Sequence, residues 1–300
     1  MHRFTSLISV PDLVARQSDE NLVMLDASWY LPTDGRDPGA EYLARHIPGA
    51  HFFDIDAVSD KTNSCPHMLP TGSIFSEQMR AFGIGADTEV VIYDSKGVFS
   101  APRAWWMFRV FGHRSVKVLN GGLPAWLAAE RSTTAAKSPV AVPAKPFSAQ
   151  YCREWVADKN DVAMHLAQDS ARVVDARSAS RFAGAEAEPR PGVRPGHMPG
   201  ARNLHYAKMT TGEPAVLAPE GDLRALFDAV GIDHSTPVVT TCGSGISACL
   251  LALALTEVHP GPVAVYDGSW AEWGADPNCP GREGVIVASV SAIFTRDSND

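Results

Sequence analysis

Short apolar runs alternate along this chain with helix-length segments, and the alternation predicts its architecture. Residues 22–25 and 172–174 form runs that end on Asp26 and Asp175, while Glu89–Tyr93 and residues 237–240 are β-branched runs of strand length. A loop of small residues follows each β-branched run, and then a helix-length segment, residues 101–111 in one case and Ser247–Val258 in the other. Val116–Leu119 and Val263–Tyr266 supply a further strand apiece. Helices are expected at 76–82 and 222–230, where Gly83 and Gly231 act as stop signals. Strands alternating with helices imply an α/β fold with a mostly parallel sheet covered on both faces. Such sheets take their ligands at the carboxyl ends of the strands.

The pattern occurs twice. Leu25-Asp26-Ala27-Ser28 returns about 150 residues later as Val174-Asp175-Ala176-Arg177. His46-Ile47-Pro48-Gly49-Ala50 returns as His197-Met198-Pro199-Gly200-Ala201, and Gly121 with Trp126 returns as Gly268 with Trp273. Three landmarks in one order at a nearly constant offset make the chain two copies of one domain of ordinary size, residues 1–130 and 151–290. Residues 131–150 are rich in Ala, Pro, Ser and Lys and read as a linker, and residues 291–300 as a tail.

Charge and cysteine usage narrow the chemistry. The 300 residues carry 26 basic and 34 acidic side chains, a net −8, with no run of five like charges, which disfavours a partner such as nucleic acid or an anionic membrane surface. The longest purely apolar stretch, residues 248–255, falls well short of the ~20 residues of a membrane span. Residues 1–10 lack the apolar core of a secretory signal. Five cysteines at irregular spacing, without a Cys-x-x-Cys pair, fit thiols kept reduced in a cytoplasmic compartment and offer no metal site.

Candidate chemistry falls on the loop after the second β-branched run, Cys242-Gly243-Ser244-Gly245-Ile246-Ser247-Ala248. Two glycines let successive backbone N–H groups curl inward, and the helix that follows adds its positive end. Both favour the anion that a central thiol becomes. The competing reading is a buried thiol at a tight turn. The Gly-x-Gly spacing at the carboxyl edge of a sheet favours a nucleophile. Cys249, inside the helix, reads as core, and Cys65, Cys152 and Cys279 have no comparable surroundings. A phosphatase with such a cradle needs an arginine six residues after its cysteine to fork onto phosphate, and Ala248 stands there. A papain-like arrangement has no local signature in the chain.

With these landmarks the chain resembles tandem rhodanese domains over nearly its whole length. The resemblance implies two rhodanese-like domains, each a mostly parallel sheet flanked by helices. The loop Cys242-Gly243-Ser244-Gly245-Ile246-Ser247 is similar to the CGSGVT of the family's 3-mercaptopyruvate sulfurtransferases and unlike the CRKGVT of its thiosulfate sulfurtransferases. Ile246 and Ser247 depart from that pattern but keep the branching and the hydroxyl. Asp94 holds the place of Cys242 in the first copy, and a carboxylate cannot accept a sulfane sulfur, so the first domain is expected to be silent. The implied activity is transfer of sulfur from 3-mercaptopyruvate through a Cys242 persulfide to a thiol or to cyanide, with release of pyruvate. The thiol partner would be a small molecule or thioredoxin, and no metal or organic cofactor is implied. The alternatives are a thiosulfate donor and a sulfur-carrying module that turns over no small donor.

Donor choice has a physical side. Thiosulfate, a dianion, suits cationic loop side chains, and Gly243 and Ser244 supply none, whereas an α-keto acid suits arginine forks. Arg181 and Arg190 match the positions at which similar enzymes hold substrate carboxylate and carbonyl; the plainer reading is a pair of surface arginines facing Glu186 and Glu188. Gly243, Gly245, Ile246 and Ser247 would complete the substrate and persulfide cradle. Arg177, following Asp175, is expected to brace the sheet edge. Asp56 and His67 resemble a segment that lines the cleft in this family and, with Ser244, would form a proton relay. A helix cap and a satisfied core histidine are the alternatives, and the segment departs from the family pattern around residues 63–66. His46 and His197, present in both copies, are expected to be structural.

Overall fold

In the computed structural model, which describes residues 5–135, 145–233 and 235–284, the sequence repeat is a repeat of sheets. The first copy contributes β1 (Leu7–Ile8), β2 (Leu22–Asp26), β3 (His51–Phe52), β4 (Glu89–Tyr93) and β5 (Val116–Leu119). The second contributes β6 (Val156–Ala157), β7 (Arg172–Asp175) and β8 (Arg202–Asn203), then a small antiparallel hairpin of β9 (Thr210–Thr211) and β10 (Val216–Leu217), then β11 (Val238–Thr241) and β12 (Val263–Tyr266). The two five-stranded sheets have one order, β1-β5-β4-β2-β3 and β6-β12-β11-β7-β8, and are parallel throughout. A parallel strand covered on both faces needs apolar side chains on both. That need is met in β4 by Val90, Val91 and Ile92 in succession and in β11 by Val238 and Val239.

The repeated landmarks do repeated work. His46 Nδ1 lies 2.7 Å from the Tyr42 carbonyl with its ring stacked on Tyr42, and His197 Nδ1 lies 2.7 Å from the Phe182 carbonyl, stacked on Phe182. Trp126 and Trp273 each donate an indole N–H to a carbonyl that follows in the chain, Ser132 and Pro280. The expected helices at 76–82 and 222–230 begin earlier, as Gly72–Ala81 and Glu220–Asp228; Thr71 caps the first by accepting from the Ile74 N–H.

The copies meet along two helices, Ala101–Val110 and Ser247–Val258, each following the loop after a central strand. Ser247–Val258 is buried along most of its length between its own sheet and the other domain, so residues 248–255 are apolar on every face instead of striped. One apolar core runs through the junction and joins Phe99, Trp105 and Trp106 of the first domain to Ile246, Leu250 and Leu251 of the second. Of the expected linker, Thr134 pairs with His46 and Phe147 is buried beside Phe75 and His113, so both described ends lie on the first domain. Residues 136–144 and the expected tail 291–300 lie outside the described residues.

Candidate active site

β11 ends at Thr241, and residues 242–246 turn into the helix Ser247–Val258 at the carboxyl edge of the sheet. Cys242 is 2% exposed. Gly245 takes φ +81°, a left-handed conformation that suits glycine, and aims its N–H at Cys242 Sγ, 3.1 Å away. Ser247 and Ala248 open the helix, so their N–H groups have no carbonyl within it to bond, and the helix presents its positive end to the thiol. The turn after β12 holds the loop from below. The Ser269 hydroxyl accepts from the Cys242 N–H at 3.2 Å, and the Trp270 and Ala271 amides donate to the Cys242 and Gly243 carbonyls, 2.9 Å each.

The first copy builds the same cradle around a carboxylate. Asp94 Oδ2 accepts from the amides of Phe99 (2.7 Å), Ser100 (2.9 Å) and Ala101 (2.9 Å), and Oδ1 from Lys96 (2.9 Å). The β9–β10 hairpin closes over it: a Cβ on Gly97 would meet the Ala215 carbonyl at 2.5 Å, and the Leu217 N–H donates to Asn120.

A cavity of about 390 Å³ opens over Cys242 between the domains. Trp29, Leu31 and Phe99 of the first domain wall one side, and Arg181, Arg190 and Tyr206 the other; Gly243, Ser244, Ile246 and Ser247 lie in its lining with Cys242. The three arginines of the lining differ in their partners. Arg177 is buried, donates to Asp175 (2.7 Å) and Glu188 (2.6 Å), and stacks on Trp270, so it braces the sheet edge as expected. Arg181 shares Glu188, whose side chain is 3% exposed, and its Nη2 would lie 3.0 Å from a Cβ on Gly243, so a side chain at that position would have to displace the guanidinium. Arg190 has no carboxylate partner among the described residues. Burial pulls its guanidinium below the usual arginine range, against the pull of Cys242 toward the charged form.

Arg190 also links the cavity to the first domain, where His67 Nε2 lies 3.5 Å from its Nη2. His67 Nδ1 sits 2.7 Å from Asp56 Oδ1, and Asp56 Oδ2 accepts from the Trp29 indole at 3.2 Å. The His67 hydrogen bond holds Asp56 below the usual carboxylate range, whereas burial pulls His67 down despite Asp56. Both directions favour a neutral imidazole beside a carboxylate, and the 2.7 Å approach of Nδ1 to Asp56 suits the tautomer with its proton on Nδ1 and Nε2 turned toward Arg190. His67 takes φ +63°, strain of the kind that gathers at functional sites. Domain docking thus brings Asp56 and His67 to Arg190. The Ser244 hydroxyl makes no hydrogen bond to either among the described residues.

Reasoning on the sequence missed Trp29 and Phe99, which meet Cys242 only when the domains dock, and Tyr206, which lies in the domain of Cys242 but outside its loop. It missed Ser269 as well, where a signal existed: the repeat sets Ser269 against Gly122, and both take positive φ, +51° and +54°. Among the described residues no group of three or more His, Cys, Asp or Glu could hold a metal ion, and no helix is long and apolar enough to cross a membrane.

Two parallel-sheet domains of one topology, with a cysteine in an amide cradle at the edge of the second, define a class of protein. The rhodanese-like domain profile matches residues 9–129 and 158–276, and the chain belongs to the rhodanese family. It is 45% identical over 263 residues to the human (Homo sapiens) 3-mercaptopyruvate sulfurtransferase, covering 87% of this chain and 88% of that one. The crystal structure of SseA from Escherichia coli, described as a 3-mercaptopyruvate sulfotransferase with the rhodanese fold, matches with a TM-score of 0.79 at 36% identity, over 89% of this chain and 99% of that one. The Tum1 protein of Saccharomyces cerevisiae matches with a TM-score of 0.85 at 29% identity, over 94% and 100%.

Proposed function

We propose that this chain is a sulfurtransferase that takes sulfur from 3-mercaptopyruvate onto Cys242 and passes it to a thiol or to cyanide. The charge distribution of the cavity carries the reading: Arg190 is its guanidinium without a carboxylate partner among the described residues, and positions 243 and 244 add no cation. One unpaired guanidinium suits a monoanionic keto acid better than the thiosulfate dianion. The names of the relatives support the same donor.

The chemistry follows in two steps. Arg190 and Arg181 hold the carboxylate and carbonyl while the Cys242 thiolate attacks the donor sulfur. A sulfur–sulfur bond forms as the carbon–sulfur bond breaks, and its electron pair passes to the carbonyl to give the pyruvate enolate beside the arginines. The proton on the transferred sulfur is the one the enolate carbon needs. His67, held by Asp56 with Nε2 facing Arg190, is assigned to move it, with Ser244 the hydroxyl lining the path. The remaining persulfide anion is held by the amides of the loop. An acceptor thiolate then attacks the outer sulfur and returns Cys242 to its thiolate.

The same reading makes residues 1–130 the silent copy and 151–290 the working one. It takes a thiol acceptor such as thioredoxin, and it sets the enzyme in the cytoplasm, where five unpaired cysteines stay reduced. The test is mass spectrometry of the chain after incubation with 3-mercaptopyruvate. The expected result is a gain of one sulfur that Cys242→Ser abolishes; no gain on the wild-type chain rejects the mechanism, and a higher kcat/KM for thiosulfate than for 3-mercaptopyruvate rejects the donor.

A further inference from the structure

We infer that Arg103, on the domain without the catalytic cysteine, is a positioning residue for the reaction in the other domain, because it ties the Cys242 loop and His67 into one rigid unit. The inference rests on the reading of Cys242 given above.

Arg103 lies on the helix Ala101–Val110 and is fully buried. A buried guanidinium is costly unless its donors are met, and this one is met at both terminal nitrogens, Nε being without a hydrogen-bond partner among the described residues, by three segments that the reaction needs in register. Nη1 donates to Asp267 Oδ1 at 2.7 Å and reaches the carbonyl of Gly245, in the cysteine loop, at 3.3 Å. Nη2 donates to the carbonyl of His67. The second oxygen of Asp267 accepts the N–H of Leu69 at 2.7 Å, so residues 67–69 are tied to one ion pair at the His67 carbonyl and the Leu69 amide. Left-handed backbone at a residue with a side chain persists only where its surroundings over-determine it, and this ion pair supplies that at His67.

The same contact gives position 245 a second reason to be glycine: a Cβ there would meet Arg103 Nη1 at 2.8 Å. Arg103 does not line the cavity over Cys242. Its loss therefore leaves the donor-binding arginines in place and loosens the thiol cradle and the imidazole that serve the chemical step. Lysine retains the charge but is a point donor that cannot span three acceptors from one side chain.

The test compares Arg103→Lys and Arg103→Met with the wild-type full-length chain. Expected are a fall in kcat with 3-mercaptopyruvate of at least about tenfold in Arg103→Lys, a larger fall in Arg103→Met, and a KM within about twofold of wild type in Arg103→Lys. The pH–rate limb belonging to His67 should shift in Arg103→Lys while its unfolding midpoint stays near that of the wild type. A wild-type kcat in Arg103→Lys overturns the inference, as does a loss carried by KM alone or one that matches the fraction unfolded by circular dichroism. Failure of the wild-type chain to form a Cys242 persulfide would instead count against the proposed reaction, which separates the two.

Discussion

Asp26 and Asp175 occupy the same place in the two copies but have different partners. Asp175 faces the guanidinium of Arg177, while Asp26 is 2% exposed and has uncharged partners, Ser28, whose hydroxyl and amide donate to it at 2.5 Å and 3.0 Å, and the Tyr93 hydroxyl. Burial pushes the Asp26 carboxyl up to about 6 against these hydrogen bonds. Its folded pKa lies above the unfolded one, so between about pH 4 and pH 6 the folded state holds the extra proton and stability falls as pH rises. The loss is complete above that window and on the order of 3 kcal/mol. Asp26→Asn should raise the unfolding midpoint at pH 7.5 and do much less at pH 4. An equal effect at both pH values, measured by thermal denaturation, would show that Asp26 is not the titrating group.

Helices and strands carry a different lesson about legibility. The inner strands of each copy and the cysteine loop were readable because each is set by contiguous residues: a β-branched run buried on both faces, or two glycines beside a thiol. The two-residue edge strands β1, β3, β6 and β8 are too short to show any period. His67 and Arg103 needed the docking of two helices that no local pattern announces, although Arg103 stands, with Arg109, inside an otherwise apolar helix-length run. Ser247–Val258 shows how far packing overrides amphipathicity. Leu251 on that helix is fully buried, and Leu251→Ala should cost about 3 kcal/mol in chemical denaturation through the void it leaves. A cost below 1 kcal/mol would mean that the junction repacks freely around the gap.

At the scale of the whole molecule, the continuous core makes the two domains one mechanical body, and the first domain sets Trp29, Phe99, His67 and Arg103 against the cavity and loop of Cys242 in the second. Its Asp94 carries a further consequence. Four amides of the first loop are occupied by a carboxylate built into the chain, whereas the second loop has to acquire its outer sulfur anew in each cycle. A persulfide on Cys242 reaches further into the cradle than a thiolate held by the one Gly245 amide. The sulfur-loaded protein should therefore unfold at a higher temperature than the same chain freshly discharged with cyanide, and equal midpoints would contradict this. Each turnover would then carry the molecule through a tightening and a relaxation, and the cargo itself would act as the brace that its twin domain wears permanently.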